Sequence, residues 1–403
     1  MSAIRDLIVD ALKGADHILL SLCVLASSFG LVLIYSASRY REGFHNMPMK
    51  QAMCIGIGIV LYFVMSQLNI RVLMERWYIV VPLCVAFQLL VLVFPAAANA
   101  TSGNRAWVDI PGVPFTIQPA EINKLFFTIL LAGFVVYLQK RGDPSSFSSV
   151  VLLVLALAVP VGFMVVVTGD VGSCLIYVVI WLAMLWCAGI KKRWFALGVT
   201  CVGAAGLVLW NILPDTNYMK RRILVVLDHS YDPQGVGFHQ RRSLIAIRSG
   251  GLTGQGYLQG SITQSSNSNS LPERTTDFIF SSCAEEWGLV GCTVLLLVLA
   301  AIVLRCLYIA LTASDSFYAL IAVGYSSMLL AQIIINVGVC LYVVPTIGLT
   351  LPFISYGGSS IITNFVAMGI LSGIKSRSLP NWLRDRSDIK WGTNGEQHRQ
   401  IME

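Results

Sequence analysis

Charge is scarce in this chain. Asp, Glu, Lys and Arg make up 12% of its 403 residues, while 56% of the residues are hydrophobic. A soluble globular domain carries about 25% charged residues. The stretch from Ser316 to Ile374 contains no charged residue at all. These proportions exclude an ordinary soluble domain and indicate an integral membrane protein.

Sequence signatures of soluble enzymes are missing as well. The chain has no Walker loop, no HExxH sequence and no zinc-ligand spacing. Its ten cysteines include no CxxC pair and fall within or at the edges of apolar runs. We therefore expect small apolar side chains rather than a disulfide framework or thiol chemistry.

Apolar runs of about 20 residues, the length needed to cross hydrocarbon, recur along the chain. They predict an all-α membrane protein with ten transmembrane helices near residues 17–36, 51–69, 77–96, 120–138, 149–168, 171–189, 194–213, 278–304, 317–342 and 359–374. We expect one membrane domain over residues 1–377, followed by a flexible cytoplasmic tail at 378–403.

The orientation of the chain follows from its short loops. If the N-terminus is cytoplasmic, the basic residues of the short loops lie mostly on the cytoplasmic side, as the positive-inside rule requires. Both termini are then cytoplasmic, no signal peptide is removed, and the long loop 214–277 between spans seven and eight is extracytoplasmic. Within that loop we predict an amphipathic helix near 236–248, lying at the outer interface, and a flexible glycine-rich segment after it.

The segment from Pro345 to Ser360 interrupts an apolar region with two prolines and three glycines. This composition is incompatible with one continuous helix. Two structures fit it: a plain hairpin between two spans, or a re-entrant loop that lines a cavity. Irregular backbone at membrane depth has to be covered by protein or face water.

Asp277 stands where the long loop gives way to an apolar helix. It fits either the N-cap of that helix or a general base. Ser281 and Glu285 follow at helical spacing, with Glu286 next to Glu285, and clustered carboxylates raise one another's proton affinity. The same cluster would also suit a divalent cation, Mg²⁺ or Mn²⁺, and the sequence specifies no cofactor.

A second charged set opens the fourth span. Glu121 and Lys124 are three residues apart and share a helix face. They form either a stabilising ion pair or two sides of a cavity for a charged substrate, with Arg105 nearby. Six of the seven basic residues of the long loop are either solvated or bound to anionic headgroups, or some of them hold a diphosphate. The six are Lys220, Arg221, Arg222, Arg241, Arg242 and Arg248.

Four motifs in this order resemble the SEDS family of ten-span bacterial membrane proteins, typified by RodA and FtsW, with a RodA-like member favoured. They are Gln-Pro-Ala-Glu-Ile-Asn-Lys-Leu at 118–125, Leu-Pro-Glu-Arg-Thr-Thr-Asp-Phe-Ile-Phe at 271–280, Glu-Glu-Trp-Gly-Leu-Val-Gly at 285–291 and Gly-Leu-Thr-Leu-Pro-Phe-Ile-Ser-Tyr-Gly-Gly-Ser-Ser at 348–360. The chain departs from the family pattern at Ala106, Ala120 and Thr275.

The resemblance implies a peptidoglycan glycosyltransferase of the bacterial cytoplasmic membrane that polymerises lipid II on the outer side. It also implies a class B penicillin-binding protein as partner, and we expect no nucleic acid. Asp277 takes the position of the essential aspartate. The expected substrate-binding residues are Glu121, Lys124, Arg105, Arg274, Glu285 and Ser355. A lipid II flippase and a non-catalytic scaffold for cell-wall synthesis are the alternatives.

Overall fold

A computed structural model of the protein describes residues 14–40, 44–96, 105–267 and 269–378. The predicted tail lies outside the described residues beyond Ser378. The described ranges contain the helices α1 (His17–Ser38), α2 (Met47–Gln67), α3 (Arg71–Glu75), α4 (Trp77–Val93), α5 (Pro119–Arg141), α6 (Phe147–Val167), α7 (Val171–Cys187), α8 (Lys192–Ile212), α9 (Tyr218–Leu227), α10 (Phe238–Gly250), α11 (Ile279–Thr312), α12 (Ser316–Cys340) and α13 (Gly358–Ser378).

Each of the ten predicted spans coincides with a helix. Seven of these helices are long and apolar enough to cross a membrane, namely α1, α2, α5, α6, α8, α11 and α12. The apolar helices α4 and α7 are shorter, at 17 residues each. The chain is therefore a mostly helical protein with many membrane-length helices, as the apolar runs predict.

The helices pack around a buried apolar core to which α1, α2, α5, α7 and α11–α13 contribute. Helix α13 lies along α2, and small residues at this contact let the two backbones approach closely. Helix α8 behaves differently, since it buries none of its residues. The core therefore holds most of the bundle together and leaves α8 outside it.

One end of the bundle carries residue 277, and we call it the site end; the opposite end is the far end. At the far end, the Asp16 carboxylate accepts hydrogen bonds from Arg305 at 2.9 and 3.1 Å. Lys375 lies 3.1 Å from the same carboxylate. Burial raises the pKa of Asp16, but the two cations outweigh it and hold this pKa below its usual value. The cluster ties α1, α11 and α13 together far from the site.

Helix α11 is broken at Gly288, where φ is 64°. Residues 251–256 of the long loop lie across this break and exchange four backbone hydrogen bonds with residues 285–290. Two loop amides donate to helix carbonyls, and two helix amides donate to loop carbonyls. The polar groups that the break releases are thereby paired again.

The long loop contains the predicted helix near 236–248, and its place at the outer interface stays a prediction. A second prediction for this loop is wrong. Helix α10 forms where an amphipathic helix was predicted, and its Gln240 and Ser243 are buried. Their side chains donate to backbone carbonyls of α12 and the residues after it, at 2.7–3.0 Å. The prediction of a flexible glycine segment after the helix is wrong, because its backbone is fixed against α11.

Candidate active site

Three hydrogen bonds hold the backbone at Asp277 and the two residues before it. The consecutive carbonyls of residues 275–277 each accept a hydrogen bond from a different group. The donors are the Tyr356 amide at 2.8 Å, the Ser355 hydroxyl at 2.6 Å and the Asn336 side-chain amide at 2.9 Å. These bonds fix the backbone position of Asp277 and do not involve its carboxylate.

The carboxylate of Asp277 itself accepts no hydrogen bond from any residue that the structure describes. Helix α11 begins at Ile279 and is not capped by a side chain, so the N-cap alternative is excluded. The residue is half-buried, with its carboxyl densely surrounded by protein atoms. This burial raises the pKa of Asp277 to about 7, Glu273 adds to the increase, and Arg222 opposes it. A carboxyl that titrates near neutral pH suits general-base chemistry.

The 345–360 segment forms the wall next to this carboxylate. Its residues 351–355 are buried, although their backbone is not helical. Gly30, in the middle of α1, lies directly against the backbone of Phe353 and Ile354. Because the segment reaches this depth, the structure favours the re-entrant alternative over a plain hairpin. Gly348 of the segment lies beside the Asp277 carboxylate.

Glu285 and Glu286 are buried and belong to a different environment from Asp277. Glu285 accepts four hydrogen bonds from residues 261–263, two from backbone amides at 2.7 and 2.8 Å and two from hydroxyls at 2.5 and 3.2 Å. Glu286 accepts from Ser36 at 2.5 Å and from Gln264 at 2.7 Å. Both carboxylates hold the long loop against the bundle.

The prediction that Asp277, Glu285 and Glu286 form one acidic cluster is therefore wrong. Asp277 precedes the helix, so the helical spacing that placed it with Glu285 does not apply. Its acidic neighbour is Glu273 instead. Within the described ranges, no group of three His, Cys, Asp or Glu residues could hold a metal ion. The three carboxylates consequently do not fit the divalent cation site that the sequence suggested.

Arg274 is buried, and its guanidinium faces the protein backbone. It donates to the carbonyls of Ala37 at 2.8 Å, Ser265 at 2.8 Å and Ile262 at 3.2 Å. These contacts fasten the long loop to the end of α1. They give Arg274 a structural role, and its predicted contact with substrate stays a prediction.

Ser355 is also buried and bonded within the protein. Its hydroxyl accepts from the Leu351 amide at 2.9 Å and donates to the Thr276 carbonyl at 2.6 Å. These bonds position the turn that carries Asp277, and the predicted contact of Ser355 with substrate stays a prediction.

Glu121 and Lys124 form a buried ion pair with a distance of 2.6 Å between Oε1 and Nζ. The second oxygen of Glu121, Oε2, has no hydrogen-bond partner among the described residues. Just before this pair, the Gln118 amide donates to the Ser359 hydroxyl at 3.3 Å. The start of α5, which carries the pair, thus contacts the first turn of α13, whereas Asp277 lies beside Gly348. Both alternatives for the pair are compatible with this geometry.

Arg105 lies apart from these groups. It is exposed, and its backbone amide donates to the Thr168 carbonyl at 3.0 Å, next to the turn between α6 and α7. Its predicted contact with substrate stays a prediction.

Backbone strain accompanies the site. Glu273, four residues before Asp277, has φ of 51°, and Phe353 in the re-entrant segment has φ of 64°. A non-glycine residue in this left-handed region costs about 1–3 kcal/mol and is kept only where the surroundings enforce it. Such residues are concentrated at functional sites in general.

Sequence reasoning overlooked two neighbours of Asp277. Asn336 is a polar amide inside a span without charges, a signal that could have marked it. Glu273 belongs to the motif at 271–280, which by itself gives it no role. Its proximity to Asp277 depends on the turn, which spacing alone does not reveal.

These features define a polytopic helical membrane protein with one partly exposed carboxylate beside a re-entrant segment. The profile of the FtsW/RodA/SpoVE family, described as "Cell cycle protein", matches residues 16–379. The chain belongs to this family.

Curated relatives from three branches are equally similar to it. The chain is 32% identical to a probable peptidoglycan glycosyltransferase FtsW of Geobacter sulfurreducens, with 92% of this chain and 97% of the relative covered. It is 33% identical to the peptidoglycan glycosyltransferase MrdB of Escherichia coli, covering 89% and 91% of the two chains. Stage V sporulation protein E of Bacillus subtilis is 32% identical, with 90% and 97% covered. This similarity does not distinguish the branches.

Two solved structures share the fold. A chain from "Structural coordination of polymerization and crosslinking by a peptidoglycan synthase complex" matches with a TM-score of 0.73 and 28% identity, covering 90% of this chain and 98% of that one. The crystal structure of the rod shape determining protein RodA of Thermus thermophilus matches with a TM-score of 0.64 and 24% identity, covering 91% and 98%. The match to RodA supports the fold alone.

Proposed function

We propose that this protein is a peptidoglycan glycosyltransferase that polymerises lipid II, with Asp277 as its general base. The observation that carries the proposal is the Asp277 turn, in which three backbone carbonyls are bound and the carboxylate is left for chemistry. The names of the relatives, which include peptidoglycan glycosyltransferases, support the same activity.

The reaction needs only one carboxylate. An acceptor sugar hydroxyl attacks the anomeric carbon of the donor, and its proton passes to Asp277. The bond between that carbon and the diphosphate oxygen breaks, and the lipid diphosphate leaves as an anion with inversion at the carbon. An anionic diphosphate leaves without a general acid when cations neutralise it. This differs from glycoside hydrolysis, which uses two carboxylates.

Two cations are proposed to neutralise the diphosphate. Arg222 is close enough for its charge to act on Asp277, and Lys124 lies buried beside Glu121 near the start of α5. We propose that Glu121 orients Lys124 toward the substrate. Any Mg²⁺ or Mn²⁺ would enter with the diphosphate, and EDTA in the polymerisation assay tests this requirement.

We further propose ten membrane spans with both termini in the cytoplasm and the site end outside. The short-loop charges support this orientation, and the lipid-linked substrate explains a site at the membrane boundary. A class B penicillin-binding protein is the proposed partner, in keeping with the matched chain from a complex that combines polymerisation and crosslinking.

The decisive experiment is polymerisation of labelled lipid II by the full chain together with its partner. The variants Asp277→Ala and Asp277→Asn should abolish strand formation while thermal unfolding stays normal. Asp228→Asn is the matched control, since Asp228 is an exposed aspartate of the same loop. Full polymerisation by either Asp277 variant would exclude Asp277 as the base. Movement of lipid II across liposomes without strand formation would favour the flippase.

A further inference from the structure

The turn that carries Asp277 is closed by Glu273. The Glu273 carbonyl accepts the amide of Thr276 at 3.1 Å and the amide of Phe278 at 3.1 Å. Asp277 thus lies within a turn that these two hydrogen bonds close. The left-handed φ of Glu273 makes the closure possible, and the cost of that conformation marks the position as unusual for a glutamate.

The Glu273 side chain is held as well. The Thr276 hydroxyl donates to Glu273 Oε2 at 3.0 Å. This bond lies within the same turn and keeps the carboxylate near Asp277, although Glu273 is exposed. The turn therefore carries two carboxylates, those of Glu273 and Asp277.

The other elements packed around Asp277 contribute few ionisable groups. Helix α9 provides the cation of Arg222. Helix α10 provides His239, whose ring stacks on Phe278 with a centroid distance of 6.2 Å. Helix α12 provides the Cys340 thiol, which donates to the Asp277 carbonyl at 3.5 Å. The re-entrant segment contributes no charged residue. Among the described residues, Glu273 is thus the acidic group that acts on Asp277.

We propose that Glu273 is a positioning residue of the active site, whose backbone closes the turn around Asp277 and whose negative charge makes Asp277 a stronger base. This inference rests on the proposed role of Asp277. A nearby anion disfavours ionisation and increases the affinity of the carboxylate for the proton of the attacking hydroxyl. Glu273 touches no reacting atom; it acts through its neighbour.

The test is the pH dependence of lipid II polymerisation by the full chain with its partner. Glu273→Gln removes the charge, so the pKa of Asp277 falls and the acid limb of the profile moves to lower pH. A shift of about 0.5–1 pH unit is expected for an exposed neighbouring charge. Glu273→Asp keeps the charge and tolerates left-handed backbone better, so its acid limb should stay close to the original.

Two further variants separate charge from backbone. Glu273→Gly also removes the charge but relieves the left-handed strain, and it should show the same shift as Glu273→Gln. Glu75→Gln, the same change at an exposed glutamate elsewhere in the chain, should leave the profile unchanged. A loss of turnover in Glu273→Gln with an unmoved acid limb would indicate a purely structural role and overturn the proposal, as would an unaltered profile with full activity.

Failure of the proposal for Glu273 can be distinguished from failure of the proposal that Asp277 is the base. If Asp277→Asn keeps its activity, the base is not Asp277 and both proposals fall. If Asp277→Asn is inactive while Glu273→Gln shows no shift, only the role of Glu273 is refuted.

Discussion

Asp277 and Glu285 are eight residues apart, yet their surroundings differ completely. Glu285 is fully buried, and its oxygens accept four hydrogen bonds from the long loop. Asp277 is half-buried, with its backbone bound and, within the described chain, its carboxylate without a hydrogen-bond donor. A buried carboxylate that is saturated with donors stabilises structure, whereas one without donors keeps its capacity to take a proton. The comparison gives Glu285 a structural role and supports the proposed chemical role of Asp277.

The largest effect should come from Asp277→Asn. Loss of a general base lowers the turnover by about 10²–10⁴-fold, while removal of a carboxylate without hydrogen-bond donors leaves the thermal unfolding temperature unchanged or slightly higher. Lipid II polymerisation and thermal unfolding, measured on one preparation, test both parts. A collapse of the unfolding temperature would mean that Asp277 also maintains structure and would erase the contrast with Glu285.

Glu285→Gln should show the opposite pattern. Its new amide group faces donors of residues 261–263, and the free energy of unfolding should fall by about 3 kcal/mol. The folded fraction should still polymerise lipid II at a rate near that of the parent protein. Apparent unfolding temperatures and activity per folded molecule give the two readouts. Normal stability combined with lost turnover would place Glu285 in the chemistry after all.

The pH profile sharpens the comparison without a mutation. Because the pKa of Asp277 is raised to about 7, the base is mostly ionised above that pH and mostly protonated below it. Turnover should therefore fall about tenfold for each pH unit on the acid side of 7. Initial rates between pH 5 and 9 in one buffer mixture test this. An acid limb near pH 4 would mean that the carboxyl is as solvated as an ordinary aspartate.

Ser355→Ala should have the smallest effect. It removes the hydroxyl that binds the Thr276 carbonyl, at a cost of about 1 kcal/mol in the free energy of unfolding. The turn becomes less fixed, so turnover should fall several-fold without a shift of the acid limb. A loss as large as that of Asp277→Asn would indicate direct contact between Ser355 and the substrate.

Much of the fold is readable from the sequence because long apolar runs have few alternatives to helices. The ten predicted spans coincide with ten helices, and α10 appears where its amphipathic pattern predicts it. The irregular 345–360 segment follows from its prolines and glycines. Local composition carries all of these predictions.

The contacts of the site are not local, and there the sequence was less informative. Arg274 binds a carbonyl of α1, 237 positions away in the chain, and spacing does not predict such a pairing. Glu285 was placed with Asp277 by helical periodicity, but the helix begins only at Ile279. The long loop then supplies the partners of Glu285. Where tertiary contacts decide the role of a residue, its type and spacing are insufficient.

Gly288 at the break of α11 and Gly254 of the long loop lie against each other. This contact limits which parts can be exchanged between relatives. A Cβ at Gly288 would collide with the backbone of Leu252 and Gly254, and a Cβ at Gly254 would collide with the backbone of Glu286. The long loop and α11 can approach this closely only because neither glycine has a side chain. A chimera that takes the long loop from a distant homologue would therefore have to inherit the first turns of α11 with it.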